Sequence, residues 1–283
     1  MITLQNEFLT VKIAKKGAEL KSLFANGREY IWEADPAVWG KSAPVLFPVC
    51  GGLKDGEYIL DGKAYPLSRH GFAKDSLFET EEQEKTSATF LLKSSEETLA
   101  LYPFDFEFRV KFYLDGKKLS VDYSVKNLSE EKMYFSFGGH EAFAVPEGLE
   151  EYDIVFEKTG DYYSTNLSGI LLDYTKALMV KNSNILPMKT DYFKVDTLIF
   201  EDIESKSVSL RKKDGSREVK ICFNGFENLM LWTKMGSKFL CIEPWDGLCD
   251  TKDTDKNLKT KLGIKSINKN ESYKKTHSME IVK

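Results

Sequence analysis

The sequence is poor in the residues that most often announce a function. It has three histidines in 283 residues, and its four cysteines (Cys50, Cys222, Cys241, Cys249) form no C-x-x-C pair. No Cys/His cluster has zinc spacing, which excludes the common structural zinc modules. Each cysteine lies in or near an apolar stretch and reads as a buried free thiol. The first residues (Met1-Ile2-Thr3-Leu4) lack the basic and apolar segments of a signal peptide, and no apolar run approaches a membrane span. The expectation is a reduced, cytoplasmic protein with no membrane partner. Asp and Glu (44) slightly outnumber Lys and Arg (40). The two signs are interspersed even in the lysine-rich stretch 252–275, so no basic face is set aside for nucleic acid. No Pro/Ser-rich linker or exact repeat divides the chain. Residues 1–283 are read as one domain, with Pro146-Glu147-Gly148 as an ordinary loop.

Helical patterning is also scarce; Glu96–Leu101 makes a turn or two before Pro103 and little else qualifies. What is present instead is period two. Phe106, Phe108, Val110, Phe112 and Leu114 alternate with mostly polar residues, Asp115-Gly116 follows, and the alternation resumes at Leu119, Val121, Tyr123 and Val125. This predicts an antiparallel hairpin with one buried face, since Asp-Gly between alternating runs supplies the positive φ of a tight turn. The same unit recurs around Asp61-Gly62 and Asp214-Gly215. Strands are further predicted at 10–13, 29–32, 89–93, 133–137, 152–156, 198–200, 229–233, 239–242 and 278–282. Many short antiparallel strands without βαβ alternation predict an all-β fold, a large antiparallel β-sandwich. Aromatic residues make up 13% of the chain, which suits both strands and a sugar-like ligand.

Two of the three histidines sit beside glycine, in Arg69-His70-Gly71-Phe72 and Gly138-Gly139-His140-Glu141-Ala142-Phe143. A histidine titrates near neutral pH and suits proton transfer. On spacing alone, a loop histidine such as His70 serves structure more often than chemistry. His140 follows an aromatic strand that Gly138-Gly139 should bend, and function and structure weigh equally there. Glu243 ends the strand 239–242; a carboxylate against such an apolar run is expected to be partly desolvated, with a raised pKa. Pro244-Trp245-Asp246-Gly247 is read as the turn that follows, with Trp245 either a core residue or a wall for a sugar ring.

Taken in order, these motifs resemble those of aldose 1-epimerases, and within them the LacX-like bacterial branch. The set comprises Ala43-Pro44-Val45-Leu46-Phe47-Pro48, the turn 51–56, Arg69-His70-Gly71-Phe72, Gly138–Phe143, Asp196-Thr197-Leu198-Ile199-Phe200 and Ile242-Glu243-Pro244-Trp245. The resemblance runs from about Leu9 to the last strand. It implies a galactose mutarotase-like supersandwich and a cleft that opens and recloses the ring of an aldohexose or its phosphate, without metal or organic cofactor. It implies catalytic roles for Glu243 as base, His140 as acid and His70 as an assisting donor. It implies substrate contacts from Asp196 and Trp245. Relatives often carry an arginine where this chain has Gly52, and Lys54 or Arg69 are the candidates to replace it. Arg69 and Lys74 around His70 also fit the hexose-6-phosphate branch. The partner expected is a small sugar, with the chain as monomer or homodimer.

Two other readings remain at this level. One is a non-catalytic carbohydrate-binding or sensing protein on the same fold. The other is a metal-dependent double-stranded β-helix enzyme with His/His/Glu ligands, which the lack of H-x-H or tight His–Glu spacing disfavours.

Overall fold

The computed structural model describes residues 1–283. It contains twenty-two strands, one six-residue α-helix (Glu96–Leu101) and short 3₁₀ turns. All strand–strand ladders are antiparallel, and fourteen strands belong to one sheet. The expected all-β architecture, built on one large antiparallel sheet, is therefore present. The three Asp-Gly hairpins form as the alternation predicts. Phe106–Asp115 pairs with Lys118–Asn127, Glu57–Leu60 with Lys63–Pro66, and Ser207–Lys212 with Glu218–Cys222. Each turn glycine has positive φ: Gly116 +56°, Gly62 +79° and Gly215 +72°. The helix at 96–101 is opened by a capping box in which Ser95 accepts from the Thr98 N–H.

The large sheet and a four-stranded sheet at residues 2–29 share one apolar core of 66 buried residues. Phe47, Phe106, Phe108 and Tyr102 lie at its centre, with the Phe47 and Phe108 rings stacked at 4.5 Å. Strand Phe239–Asp246 carries the feature that matters most for the site. Its period-two alternation sends Leu240 and Ile242 into this core and leaves Cys241, Glu243 and Trp245 on the other face.

Three departures from the sequence reading stand out. Pro244-Trp245-Asp246 is not a turn: the strand continues through Asp246, pairing Leu229 with Pro244 and Asn228 with Trp245. The expected strand 133–137 splits at Ser136, Met133–Phe135 pairing with Lys265–Ile267 and Phe137–Gly138 with the end of strand 239–246. The strand expected at 152–156 runs to Ser168 and folds back through Leu171–Pro187 as a long hairpin with several register shifts.

Candidate active site

The register of strand Phe239–Asp246 explains how two residues distant in sequence meet. Gly138 pairs with Trp245, and Glu141 pairs with Ile242. The pairing is in step on both sides of the interruption, so residues 139 and 140 stand opposite 244 and 243. The Gly139 N–H donates to the Pro244 carbonyl at 3.1 Å, as that register requires. Directly opposed residues share a face of a sheet. His140 and Glu243 therefore project together from the face away from the core, with Nε2 and Oε2 3.4 Å apart.

Both groups are buried. Burial pushes the Glu243 carboxyl well above the ordinary glutamate range; Arg69 and the Trp245 indole N–H, which donates to Oε2 at 3.1 Å, only partly oppose this. Burial also pushes the His140 imidazole down to about 3. Both shifts favour the uncharged forms, a protonated Glu243 beside a neutral His140, so one proton serves the pair. Moving it from Glu243 to His140 makes an ion pair without changing the net charge.

His70 reaches the same space from the loop after strand Lys63–Pro66. Its backbone has φ +67°, and Gly71 follows at +70°. A Cβ on residue 71 would overlap the Phe47 carbonyl, so glycine is required there. His70 is held by two bonds to one residue: its N–H donates to the Gly51 carbonyl at 2.9 Å, and the Gly51 N–H donates to Nδ1 at 3.1 Å. Nδ1 is thus an acceptor and the ring proton sits on Nε2. Burial, with His140 and Arg69 nearby, holds the imidazole well below its usual pKa. His70 is a neutral donor, edge-on to His140 at 5.5 Å and to Trp245 at 5.4 Å between ring centres.

These groups line one cleft of about 320 Å³ with Trp39, Lys41, Pro44, Arg69, Lys74, Thr197 and Trp232, a volume at the small end of ligand sites, which span roughly 300–1,000 Å³. Asp196 stands at its edge. One carboxylate oxygen accepts from Trp232 Nε1 at 2.8 Å and the other lies 3.5 Å from Arg69. Of the residues expected from the sequence, Glu243, His140, His70, Trp245, Arg69 and Asp196 converge. Lys54 does not line the cleft; it sits in a 3₁₀ turn with its backbone N–H bound to Asp250. The lysines on the wall are Lys41 and Lys74, both bridged to Asp75. At Gly52 a Cβ would lie 2.6 Å from Cδ1 of the exposed Ile170 at the tip of the long hairpin, so a side chain there requires that isoleucine to move aside.

Two aromatic wall residues were not foreseen. Trp39 stacks on His140 at 5.3 Å, and Trp232 meets the same imidazole edge-on at 5.7 Å. Trp232 lies in a predicted strand and was detectable as an aromatic at its end; Trp39 lies in a loop with no local motif. His140, Cys241 and Glu243 also bring potential metal-ligand atoms within 4.8 Å of one another. Burial holds the Cys241 thiol well above its usual pKa and so in the protonated form, which is the poorer metal ligand.

A family model for aldose 1-epimerase matches residues 1–278. The chain is 32% identical to protein LacX of Lactococcus lactis subsp. lactis, over 99% of both chains. Among solved structures it is similar to a galactose mutarotase related enzyme from Lactobacillus acidophilus (34% identity, 100% of this chain and 97% of that one, TM-score 0.96). It is also similar to a galactose mutarotase-like protein from Lactobacillus casei (28% identity, 99% of each chain, TM-score 0.94).

Proposed function

The chain belongs to the aldose 1-epimerase family, and we propose that it interconverts the α and β anomers of an aldohexose by acid–base ring opening and reclosure. The observation that carries this reading is the in-register pair His140–Glu243, 3.4 Å apart in a cleft with a fixed donor at His70.

In this proposal the sugar binds with its C1 hydroxyl toward Glu243 and its ring oxygen toward His140. The reactive form is carboxylate plus imidazolium. Glu243 takes the proton of the C1 hydroxyl, the C1–O5 bond breaks with its electrons going to O5, and His140 gives its proton to O5. The open-chain aldehyde then faces a protonated carboxyl and a neutral imidazole, the forms that burial favours. Rotation about C1–C2 presents the other carbonyl face. His140 takes the proton back from O5–H, O5 attacks C1, and Glu243 returns its proton to O1. Each proton moved has a protein group to accept or supply it, so the reaction as proposed needs no metal or organic cofactor. Each positioned acid or base contributes on the order of 10²–10⁴-fold. His70 Nε2–H supports the oxygen on which negative charge develops, Trp245 and Trp39 flank the ring, and Asp196 with Arg69 binds hydroxyls at the edge.

Lys41, Arg69 and Lys74 on the wall favour a second reading, a hexose phosphate as the substrate. Polarimetry on freshly dissolved α-glucose, α-galactose and their 6-phosphates tests both. Enzyme-dependent acceleration identifies the substrate. Binding without acceleration of any of the four would replace catalysis with carbohydrate binding or sensing on this fold, and neither binding nor acceleration would refute the proposal outright.

A further inference from the structure

The third histidine belongs to a buried pair that the reaction above does not use. His277, on strand Ser272–Ile281, bonds through Nε2 to Glu141 Oε1 at 2.9 Å, and both residues are at most 5% exposed. Glu141 is the residue directly after His140. It pairs with Ile242, so its side chain faces the core while those of His140 and Glu243 face the cleft. Strand Ser272–Ile281 lies far from strand Phe239–Asp246 in the order of the large sheet. The contact therefore spans the core between two distant parts of that sheet.

Two observations tie this pair to the catalytic break. A Cβ on Gly139 would overlap both carboxylate oxygens of Glu141. The carboxylate thus rests against the α-carbon that precedes His140, and it can do so only because residue 139 is glycine. Second, the pair is a poor stabilising device. His277 Nδ1 and the Tyr123 hydroxyl beside it are buried without partners, although the Tyr123 ring stacks on His277 at 5.5 Å. Buried polar pairs with unmet hydrogen bonds give less stability than apolar residues of the same volume.

We propose that Glu141, anchored by His277, is a positioning residue that holds the Gly139–His140 break against strand Phe239–Asp246 and so sets the His140–Glu243 separation. This rests on the mutarotase reading above for its consequence in catalysis, though the geometry it asserts does not. Glu141 also faces Glu243 and Cys241 through the strand and Tyr123 across the core, and its charge adds to the upward push on all three. Its neutral isostere lets Glu243 release its proton more readily, which moves the limb of the pH–rate profile set by that carboxyl to lower pH.

The test compares wild type with Glu141→Gln, Glu141→Ala and His277→Asn. It uses imidazole NMR, in which three histidines give three assignable ring signals, and kinetics on whichever sugar the wild type accepts. Glu141→Ala should shift the His140 signal and lower kcat by about ten- to a hundredfold with KM changed less than about threefold, the pattern of a misplaced catalytic group. Glu141→Gln, which keeps shape and hydrogen bond, should restore most of kcat but move the pH profile down. His277→Asn should resemble the alanine variant in milder form. Folded variants with an unmoved His140 signal and an unchanged pH profile overturn the proposal, even where thermal stability falls. If Glu141→Ala does not fold, the glutamine variant decides on the same two readouts. If the wild type accelerates no sugar, the functional reading fails, and the His140 signal in Glu141→Ala and His277→Asn alone decides this one.

Discussion

Replacing Glu243 by glutamine should remove activity and raise stability at once. The carboxyl is 1% exposed, accepts one hydrogen bond from Trp245, and is held well above the ordinary glutamate pKa by burial. In the unfolded chain it ionises near 4.5. Between that value and its raised folded value, the unfolded state binds fewer protons, so this residue's contribution to stability falls as pH rises. The slope for one group is about 1.4 kcal/mol per pH unit, and it ends where the folded carboxyl also ionises. Glutamine keeps the shape and the Trp245 contact and has no charge to desolvate. The variant should match wild type near pH 4 and exceed it increasingly towards pH 7, by roughly 2 °C in Tm for each kcal/mol in a chain of this size. Anomerisation by the same protein should fall by about 10²–10⁴-fold. Thermal unfolding of both proteins from pH 4 to 8, with exchange rates on the same samples, checks this. A variant no more stable than wild type at pH 7 would refute the desolvation argument. A variant retaining a tenth or more of the activity would refute Glu243 as the base.

Other substitutions probe separate parts of the site. His140→Asn should lower kcat by about 10²–10³-fold. Because the folded pKa of His140 lies below that of the free side chain, it should also weaken the loss of stability as pH falls through 6.5 towards 3, read by unfolding at pH 4 and 7. Gly71→Ala combines a positive φ with a clash on the Phe47 carbonyl, and should cost about 3 kcal/mol or more by chemical denaturation. Trp232→Phe removes the donor to Asp196 and should raise KM severalfold with kcat little changed, measured by initial rates. If a 6-phosphate is the substrate, Lys74→Ala should raise its KM by about tenfold while leaving the free sugar unaffected, since a charged hydrogen bond contributes about 1.5–3 kcal/mol.

Much of this site was legible because strand chemistry is local. The Asp-Gly turns required positive φ, and the alternation beside them showed which residues face inward, so the hairpins at Gly62, Gly116 and Gly215 could be read directly. Glu243 could be placed against an apolar strand from its neighbours alone. Its partnership with His140 could not, because it depends on a register between strands about a hundred residues apart. The ordered motifs supplied that pairing by resemblance. Pro244-Trp245-Asp246-Gly247 reads as a turn in the sequence, and Pro244 has no N–H to donate to a ladder. In the fold its carbonyl accepts from Gly139, so the absent N–H faces the break in the ladder and the strand continues. The hairpin 152–187 was invisible past Phe156. Its register shifts break the alternation, and residues such as Tyr163 and Leu178 are apolar yet exposed. Lys54 looked available from its position near the expected contact site, but its turn is tied to Asp250 and it is not among the residues that line the cleft. The Glu141–His277 pair joins residues 136 positions apart and had no local signal.

The central claim is that the His140–Glu243 pair catalyses anomer exchange. Magnetisation-transfer NMR at equilibrium measures the α–β exchange rate of a sugar directly, without a coupled enzyme. With the substrate sugar, the account predicts an exchange rate that rises in proportion to wild-type protein and an acceleration about 10²–10⁴-fold smaller with Glu243→Gln at equal concentration. A wild-type rate equal to the uncatalysed rate for glucose, galactose and their 6-phosphates, or equal acceleration by both proteins, would contradict it.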